Sequence, residues 1–185
     1  MMRSVIRFGL PILFFVVSPL ASLAQDYAPK GSVGGGMGHG RFLDDEGTLG
    51  TGLLYRGAAE WRPISRLGLE AEIQGTSFQR GDNFHVNGDA HFVFANAIFY
   101  FSRSRVQPYI KGGAGFYRTR YTYSWPVSSP EEYHQARSAA AVNLGGGLRF
   151  FLNRHWSVTP DFRLAVGSGY HALISYPSIT AAYHW

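Results

Sequence analysis

The sequence predicts an all-β protein: an eight-stranded antiparallel up-and-down transmembrane β-barrel that follows an N-terminal signal peptide. Three observations predict this fold. After residue 30 the chain breaks into eight segments of roughly ten residues whose side chains alternate between apolar and polar, as membrane-spanning strands do. The links between these segments are alternately short and long. The chain also combines 23 glycines and 16% aromatic residues with only 16% charged residues, which suits sheets better than helices.

The composition excludes several classes of protein before any motif is considered. The 185 residues are enough for one domain, and the absence of cysteine excludes disulfide scaffolds, cysteine-ligated zinc and cysteine nucleophiles. Low charge with many aromatic residues argues against a disordered chain or a coiled coil. No basic run predicts nucleic-acid binding, so nucleic acid is not an expected partner.

The N-terminus carries the three parts of a secretory signal. Two arginines form a positive region, residues 8–17 form an apolar run, and residues 22–24 (Ser-Leu-Ala) supply small side chains for cleavage. We predict a signal peptide over residues 1–24 and an outer-membrane barrel domain over residues 25–185. Loss of the two arginines lowers the formal net charge from +5 to +3. The apolar run is short for a membrane-spanning helix, which needs about 20 residues.

The first four predicted strands differ in how clearly they alternate. The first, residues 32–40, is mostly glycine, and only Val33 and Met37 are good outward-facing apolar residues. The second and third alternate cleanly, with outward residues Leu53, Tyr55, Ala59 and Trp61 in the second and Leu67, Leu69, Ala71 and Ile73 in the third. The fourth, residues 89–101, is apolar on both faces, so its register is left open.

The last four predicted strands continue the pattern. Their outward residues are Ile110, Ala114 and Phe116 in the fifth, Ala140, Val142, Leu144, Leu148 and Phe150 in the sixth, Trp156, Val158, Phe162, Leu164 and Val166 in the seventh, and Ile179, Ala181, Tyr183 and Trp185 in the eighth. Pro160 lies inside the seventh strand. Because proline cannot donate a ladder hydrogen bond, we expect a β-bulge there.

The lengths of the connections indicate the topology. Short links cover residues 62–66, 102–107 and 151–155, and longer polar links cover residues 41–50, 79–88, 122–137 and 167–176. Short turns at one end and long loops at the other are typical of outer-membrane barrels. A soluble sandwich does not need this alternation.

Aromatic residues collect where the predicted strands meet the short turns. We predict that they form a girdle at one membrane interface, made of Trp61, Tyr100, Tyr109, Phe150, Trp156 and Trp185. Candidates for a second girdle at the loop end are Phe78, Tyr121, Tyr123 and Tyr170.

Several short segments resemble the OmpA/OmpX-type family of small eight-stranded outer-membrane β-barrels. They are residues 106–109 (VQPY) with 112–115 (GGAG), residues 143–152 (NLGGGLRFFL) and residues 179–185 (ITAAYHW). The resemblance implies a multi-pass barrel in the bacterial outer membrane, in contact with its lipids and lipopolysaccharide. It also implies that Tyr183 and Trp185 form the C-terminal signal read by the barrel-assembly machinery. It names no extracellular ligand.

Eight charged residues fall on the predicted inward faces. Four are cationic and four anionic: Arg56, Lys111, Arg149 and Arg163, with Glu60, Glu70, Glu72 and Asp161. The interior of an eight-stranded barrel is just wide enough for side chains to fill, and an unpaired buried ion costs several kcal/mol. We therefore predict an ion-pair network that plugs the lumen. A narrow porin-like channel, in which the network rearranges, is the alternative.

The sequence predicts no catalytic, cofactor or metal site. The seven histidines lack a spacing that brings two ligands together, and we interpret them as solvated. Lipid A deacylases of the PagL type are also eight-stranded barrels with a His-Ser pair, and the nearest match here is His171 with Ser175. Four residues span about 13 Å of strand, too far for nucleophilic catalysis. We expect a structural or surface-interaction protein, with residues 122–137 offering aromatic binding surface, and rank a lipid A hydrolase third.

Overall fold

Eight antiparallel strands form the described part of the chain, which in this computed structural model comprises residues 27–44, 47–81, 85–124, 133–168 and 171–185. The strands are β1 (Gly31–Asp44), β2 (Gly47–Ile64), β3 (Leu67–Gly81), β4 (His85–Tyr100), β5 (Val106–Ser124), β6 (Tyr133–Phe151), β7 (Trp156–Gly167) and β8 (His171–His184). Each pairs with the next, and β8 pairs with β1 to close the barrel. The predicted fold is confirmed. The predicted signal peptide, residues 1–24, lies outside the described residues.

The strand period of two decides which side chains face inward. On β4, whose register the sequence left open, Phe92 and Asn96 are buried in the lumen, whereas Val93 and Phe99 are 58% and 42% exposed. This strand is apolar on both faces because part of the lumen is itself apolar. On glycine-rich β1, Val33 and Met37 face outward as predicted. Within the described ranges, no helix is long and apolar enough to cross a membrane.

The four long polar links of the sequence prediction begin and end in strand, so those boundaries were wrong. The hairpins continue to the pairs Asp44–Gly47, Gly81–His85, Tyr123–Tyr133 and Gly167–His171. Beyond the apolar band both faces of a hairpin meet water, so the apolar-polar alternation ends while the hydrogen-bonded ladder continues. The sequence pattern therefore marks the apolar band rather than the ends of the strands.

The expected bulge lies beside Pro160 but on the neighbouring strand. Pro160 still pairs with Ile179. The register shifts between Asp161 and Arg163, where β8 advances by three residues, from Ser178 to Ser175, while β7 advances by two. The β6–β7 pairs stop at Gly147–Asp161 and resume at Phe150–Val158, so the missing donor of Pro160 falls in a gap in the ladder. The bulged segment of β8 itself contains Pro177.

Gly115 marks a close approach of β5 to the backbone of β4. A Cβ atom placed on Gly115 would lie 1.8 Å from the Val93 carbonyl oxygen, whereas one on Gly112 would be 3.6 Å from its nearest atom. We expect Gly115→Ala to lower the free energy of unfolding by about 2 kcal/mol, because the strands must part. The control Gly112→Ala should change it by less than about 0.5 kcal/mol. Urea titration of the barrel in lipid vesicles measures both, and equal losses would contradict the close-approach argument.

Candidate functional site in the barrel lumen

The half of the lumen nearest the short turns contains all eight charged residues predicted to face inward. One cluster centres on Lys111 of β5, whose Nζ lies 2.5 Å from Glu70 Oε1 and 2.7 Å from Glu72 Oε2. Arg163 also donates to Glu72. Asn96 Nδ2 donates to Glu70 Oε1 at 2.9 Å and to Glu72 Oε2 at 3.1 Å, so side chains from β3, β4, β5 and β7 meet here.

A second cluster surrounds Asp161 of β7. Its Oδ2 accepts from Arg56 Nη1 at 2.6 Å, from Arg163 Nη2 at 2.8 Å and from the Tyr109 hydroxyl at 3.0 Å. Its Oδ1 accepts from Ser178. Arg163 therefore bonds to both Asp161 and Glu72, which joins the two clusters across the lumen.

A third cluster forms around Glu60 of β2. Arg149 Nη1 lies 2.9 Å from Glu60 Oε2, and Arg62 Nε lies 2.7 Å from Glu60 Oε1. The Tyr100 hydroxyl donates to Glu60 Oε1 at 2.7 Å, and the Arg62 guanidinium lies over the Tyr100 ring, 3.7 Å from its centroid.

Arg62 is a member of the network that the sequence analysis missed. It was assigned to a short link, residues 62–66, but β2 continues to Ile64. The signal was present, because Arg62 lies two positions after Glu60 and therefore on the same strand face. With Arg62 included, the described network holds five cations and four carboxylates.

Two of the six residues predicted for the short-turn girdle belong to the lumen instead. Tyr100 is 0% exposed and Tyr109 is 5% exposed, so the prediction was wrong for both. Their hydroxyls donate to the carboxylates of Glu60 and Asp161, which gives each buried hydroxyl the partner it needs. The other four face outward and are exposed: Trp61, Phe150, Trp156 and Trp185.

The loop-side half of the lumen is filled by aromatic and apolar side chains. The Phe92 ring stacks with those of Phe94 and Tyr117, at centroid distances of 5.7 and 5.6 Å. Phe42 stacks with Phe78 at 4.9 Å, and Tyr121 is buried in the same cluster.

The prediction of a second girdle is therefore wrong for Phe78 and Tyr121, which point inward. Tyr170 lies outside the described residues, and the side chain of Tyr123 is not described. We call Phe42, Phe78, Phe92, Phe94, Tyr117 and Tyr121 the aromatic layer.

Little space is left among the charged side chains. The cavity lined by Arg56, Glu60, Tyr109, Arg149 and Arg163 has a volume of about 30 Å³. A cavity of this size can hold water but is far smaller than the roughly 300 Å³ or more of a typical ligand pocket.

One histidine interpreted as solvated is buried. His184 is 0% exposed, and its Nε2 lies 2.7 Å from the Oγ of Ser157, which is 1% exposed. A hydroxyl this close to a histidine is the geometry of an activated nucleophile. Both side chains are covered, and the hydrogen bond gives each of these two buried polar atoms a partner.

The candidate hydrolase residues His171 and Ser175 both lie on β8, four positions apart. Their side chains are not described. Across the described ranges, no group of three or more histidine, aspartate or glutamate side chains is arranged to hold a metal ion.

A closed eight-stranded barrel with a charged lumen and an apolar outer face is the architecture of a small outer-membrane protein. Residues 10–172 match the family described as the outer membrane protein beta-barrel domain, and the chain belongs to that family. It is a bacterial outer-membrane protein. No curated protein matches the chain in sequence.

Several solved barrels share the fold at low sequence identity. Neisserial surface protein A (NspA) superposes with a TM-score of 0.65 at 14% identity, over 84% of this chain and 97% of that one. Ail, the attachment invasion locus protein of Yersinia pestis, gives a TM-score of 0.61 at 16% identity, over 84% and 97%. The N-terminal barrel domain of Pseudomonas aeruginosa OprF gives 0.51 at 16% identity, over 85% and 98%. At these identities the likeness concerns the fold.

Proposed function

We propose that this outer-membrane barrel is closed to solutes and has a structural or surface-interaction role at its loop end. The observation that carries the proposal is the filling of the lumen by two successive layers. Ions would have to displace an ion-pair network in one half and stacked rings in the other. Breaking a buried ion pair costs several kcal/mol, which opposes spontaneous opening of the lumen.

Planar-bilayer recording of the refolded mature chain tests the closure. We expect no stable conductance from a barrel whose folding is confirmed by its faster migration on unheated gels. The matched variant Arg163→Ala removes the side chain that joins two clusters, and Phe116→Ala on the lipid face is its control. Reproducible openings from the wild-type barrel would contradict the proposal and favour the narrow porin-like channel.

The surface role is tested at the longest link between described strands. Residues 125–132 contain Trp125, Pro126, Pro130 and two glutamates, a mixture able to contact a partner. One structural neighbour, Ail, has been crystallised with a heparin analogue, sucrose octasulfate, which makes heparin a reasonable first probe. We expect cells with this protein to bind heparin-coated or protein-coated surfaces more than cells whose residues 125–132 are replaced by a Gly-Ser linker. Equal binding would contradict a surface role for this loop.

We also propose that the chain does not hydrolyse lipid A. The extended conformation of β8 supports this, since four residues of strand separate two side chains by about 13 Å. Mass spectra of lipid A from cells with and without the protein test it. Loss of an acyl chain that depends on His171 and Ser175 would overturn it.

The barrel-assembly machinery is the remaining proposed partner, through Tyr183 and Trp185 at the end of β8. Both side chains face outward, at 41% and 61% exposed, and so are accessible to a protein that binds the last strand from the lipid side.

A further inference from the structure

The outer wall of the barrel carries a group of polar side chains where its apolar surface ends on two neighbouring strands. On β5 the outward residues are apolar from Val106 to Phe116 and are followed by Arg118 and Arg120, both exposed. On β4 they are apolar from Phe99 to Val93 and are followed by His91 and Asp89. The change from apolar to polar thus occurs side by side on both strands.

The length of the apolar stretch places this change at the membrane surface. Ten residue steps from Val106 to Phe116 cover about 34 Å of strand. At a strand tilt of about 40° this is about 25 Å of height, the thickness of the apolar band of an outer-membrane barrel. Arg118 and Arg120 therefore lie at the level of the lipid headgroups on the loop side, which is the outer leaflet.

The strand register brings these polar groups together. His91 is directly opposite Arg118, and Asp89 is directly opposite Arg120, so their Cβ atoms are about 5 Å apart. His91 Nε2 lies 3.1 Å from Asp89 Oδ2, which holds the imidazole beside the arginines. The group holds two guanidinium groups and one carboxylate, so positive charge is in excess.

Tyr55 completes the group from two strands away. Its hydroxyl lies 3.4 Å from His91 Nδ1, because the ring crosses β3 over Gly75. A Cβ atom on Gly75 would lie 2.3 Å from that ring, so glycine is what lets tyrosine reach the histidine. Above the group, a cleft of about 450 Å³ opens between β4, β5 and β6, lined by Asp89, Arg120 and Ala136.

We propose that Tyr55, Arg118 and Arg120, with His91 held among them, bind a phosphate group of the phosphorylated glycolipid of the outer leaflet, lipopolysaccharide. Guanidinium groups match phosphate oxygens in geometry and charge, and the Tyr55 hydroxyl adds a donor. Both ring nitrogens of His91 already have partners, so the imidazole positions Tyr55 and does not itself donate to the phosphate. The apolar face directly below receives the acyl chains, and the cleft above receives sugar. A soluble anion would use only the polar half of this surface, which is why the site is assigned to a lipid.

The test measures binding of phosphorylated lipid A to the refolded mature barrel in neutral phosphatidylcholine nanodiscs. We expect Arg118→Gln with Arg120→Gln to weaken binding by about tenfold. The matched control is Arg66→Gln with Arg154→Gln, which removes two exposed arginines from the short-turn end. It has the same net charge and should bind within about twofold of wild type. Tyr55→Phe, which keeps the ring, should weaken binding by about threefold.

Dephosphorylated lipid A separates recognition of phosphate from recognition of sugar or acyl chains. With this probe, wild type and the Arg118/Arg120 variant are expected to bind equally. Three results would overturn the proposal: equal binding of phosphorylated lipid A by wild type and that variant, an equal loss in the short-turn control, or a difference that persists without phosphate. Because all substituted side chains are exposed, migration on unheated gels should show that every variant folds.

Discussion

Replacing Glu72 by glutamine is expected to lower the free energy of unfolding of the barrel by about 3–5 kcal/mol. Glu72 is 1% exposed and accepts from both Lys111 and Arg163. Glutamine has nearly the same shape, but its neutral amide can accept from one cation while its NH₂ group opposes the other. The substitution leaves five buried cations with three carboxylates. Urea titration in lipid vesicles, followed by tryptophan fluorescence, measures the loss.

The matched variant Lys111→Met tests whether the loss of stability comes from unbalanced charge in the lumen or only from lost contacts. Because the network has one cation in excess, this change leaves four cations and four carboxylates. Glu70 and Glu72 keep their hydrogen bonds to Asn96, and Glu72 keeps Arg163. We expect a loss of about 2–3 kcal/mol, since Glu70 loses its one described ion pair and keeps Asn96. A larger loss for Lys111→Met than for Glu72→Gln would contradict this account of the network. If Glu72→Gln does not fold, Glu72→Asp, which retains the charge, takes its place.

Strand alternation made most of the barrel predictable from the sequence. A side chain that faces lipid has to be apolar over the whole apolar band, so the outward residues of β2, β3, β5, β6, β7 and β8 could be read directly. Inward-facing charged residues such as Glu60 and Glu70 were predictable for the same reason. A charged residue that lies between two lipid-facing residues in a strand has to point inward. The partners within the network were not readable, because they depend on how strands distant in sequence approach across the lumen.

The wrong girdle assignments share one physical cause: an aromatic side chain is acceptable on either face of a barrel strand. Tyr100 and Phe78 were assigned to membrane girdles because girdles are aromatic, but a filled lumen also needs large rings. An inward aromatic residue is distinguished from an outward one only by counting along the strand from a neighbour whose side chain is known to face the lumen or the lipid. Tyr100 is an even number of residues from buried Asn96, which would have placed it inside once the register of β4 was fixed.

The ion-pair network and the aromatic layer close different halves of the barrel lumen. The network lies in the half that contains the short turns and the C-terminus, where charged groups from five strands bind one another. The aromatic layer lies in the half from which the loops extend. The ion-pair network closes its half of the lumen through hydrogen bonds and ion pairs between its members. The aromatic layer closes the other half because its side chains fill the available volume. The two layers should therefore fail independently when single residues are changed.

Phe92→Ala is the second substitution with a large expected effect, a loss of about 3–5 kcal/mol. Phe92 is 3% exposed and stacks on both Phe94 and Tyr117. The control is Phe116→Ala, since Phe116 is 72% exposed on the lipid face of β5. Both changes remove the same apolar surface from a nonaqueous environment, and that transfer is worth about 2 kcal/mol. Lipid chains fill the space at Phe116, but no mobile chain fills the space at Phe92.

The difference between the two variants therefore measures the cavity that Phe92→Ala leaves inside the aromatic layer. We expect Phe92→Ala to lose at least about 1 kcal/mol more than Phe116→Ala in urea titrations. Equal losses would mean that the layer is loosely packed and does not close the loop side. The Phe92→Ala barrel should still be silent in planar bilayers, because the ion-pair network below it is intact. A conducting Phe92→Ala barrel would show that the aromatic layer is the sole barrier and that the network leaves a path for ions.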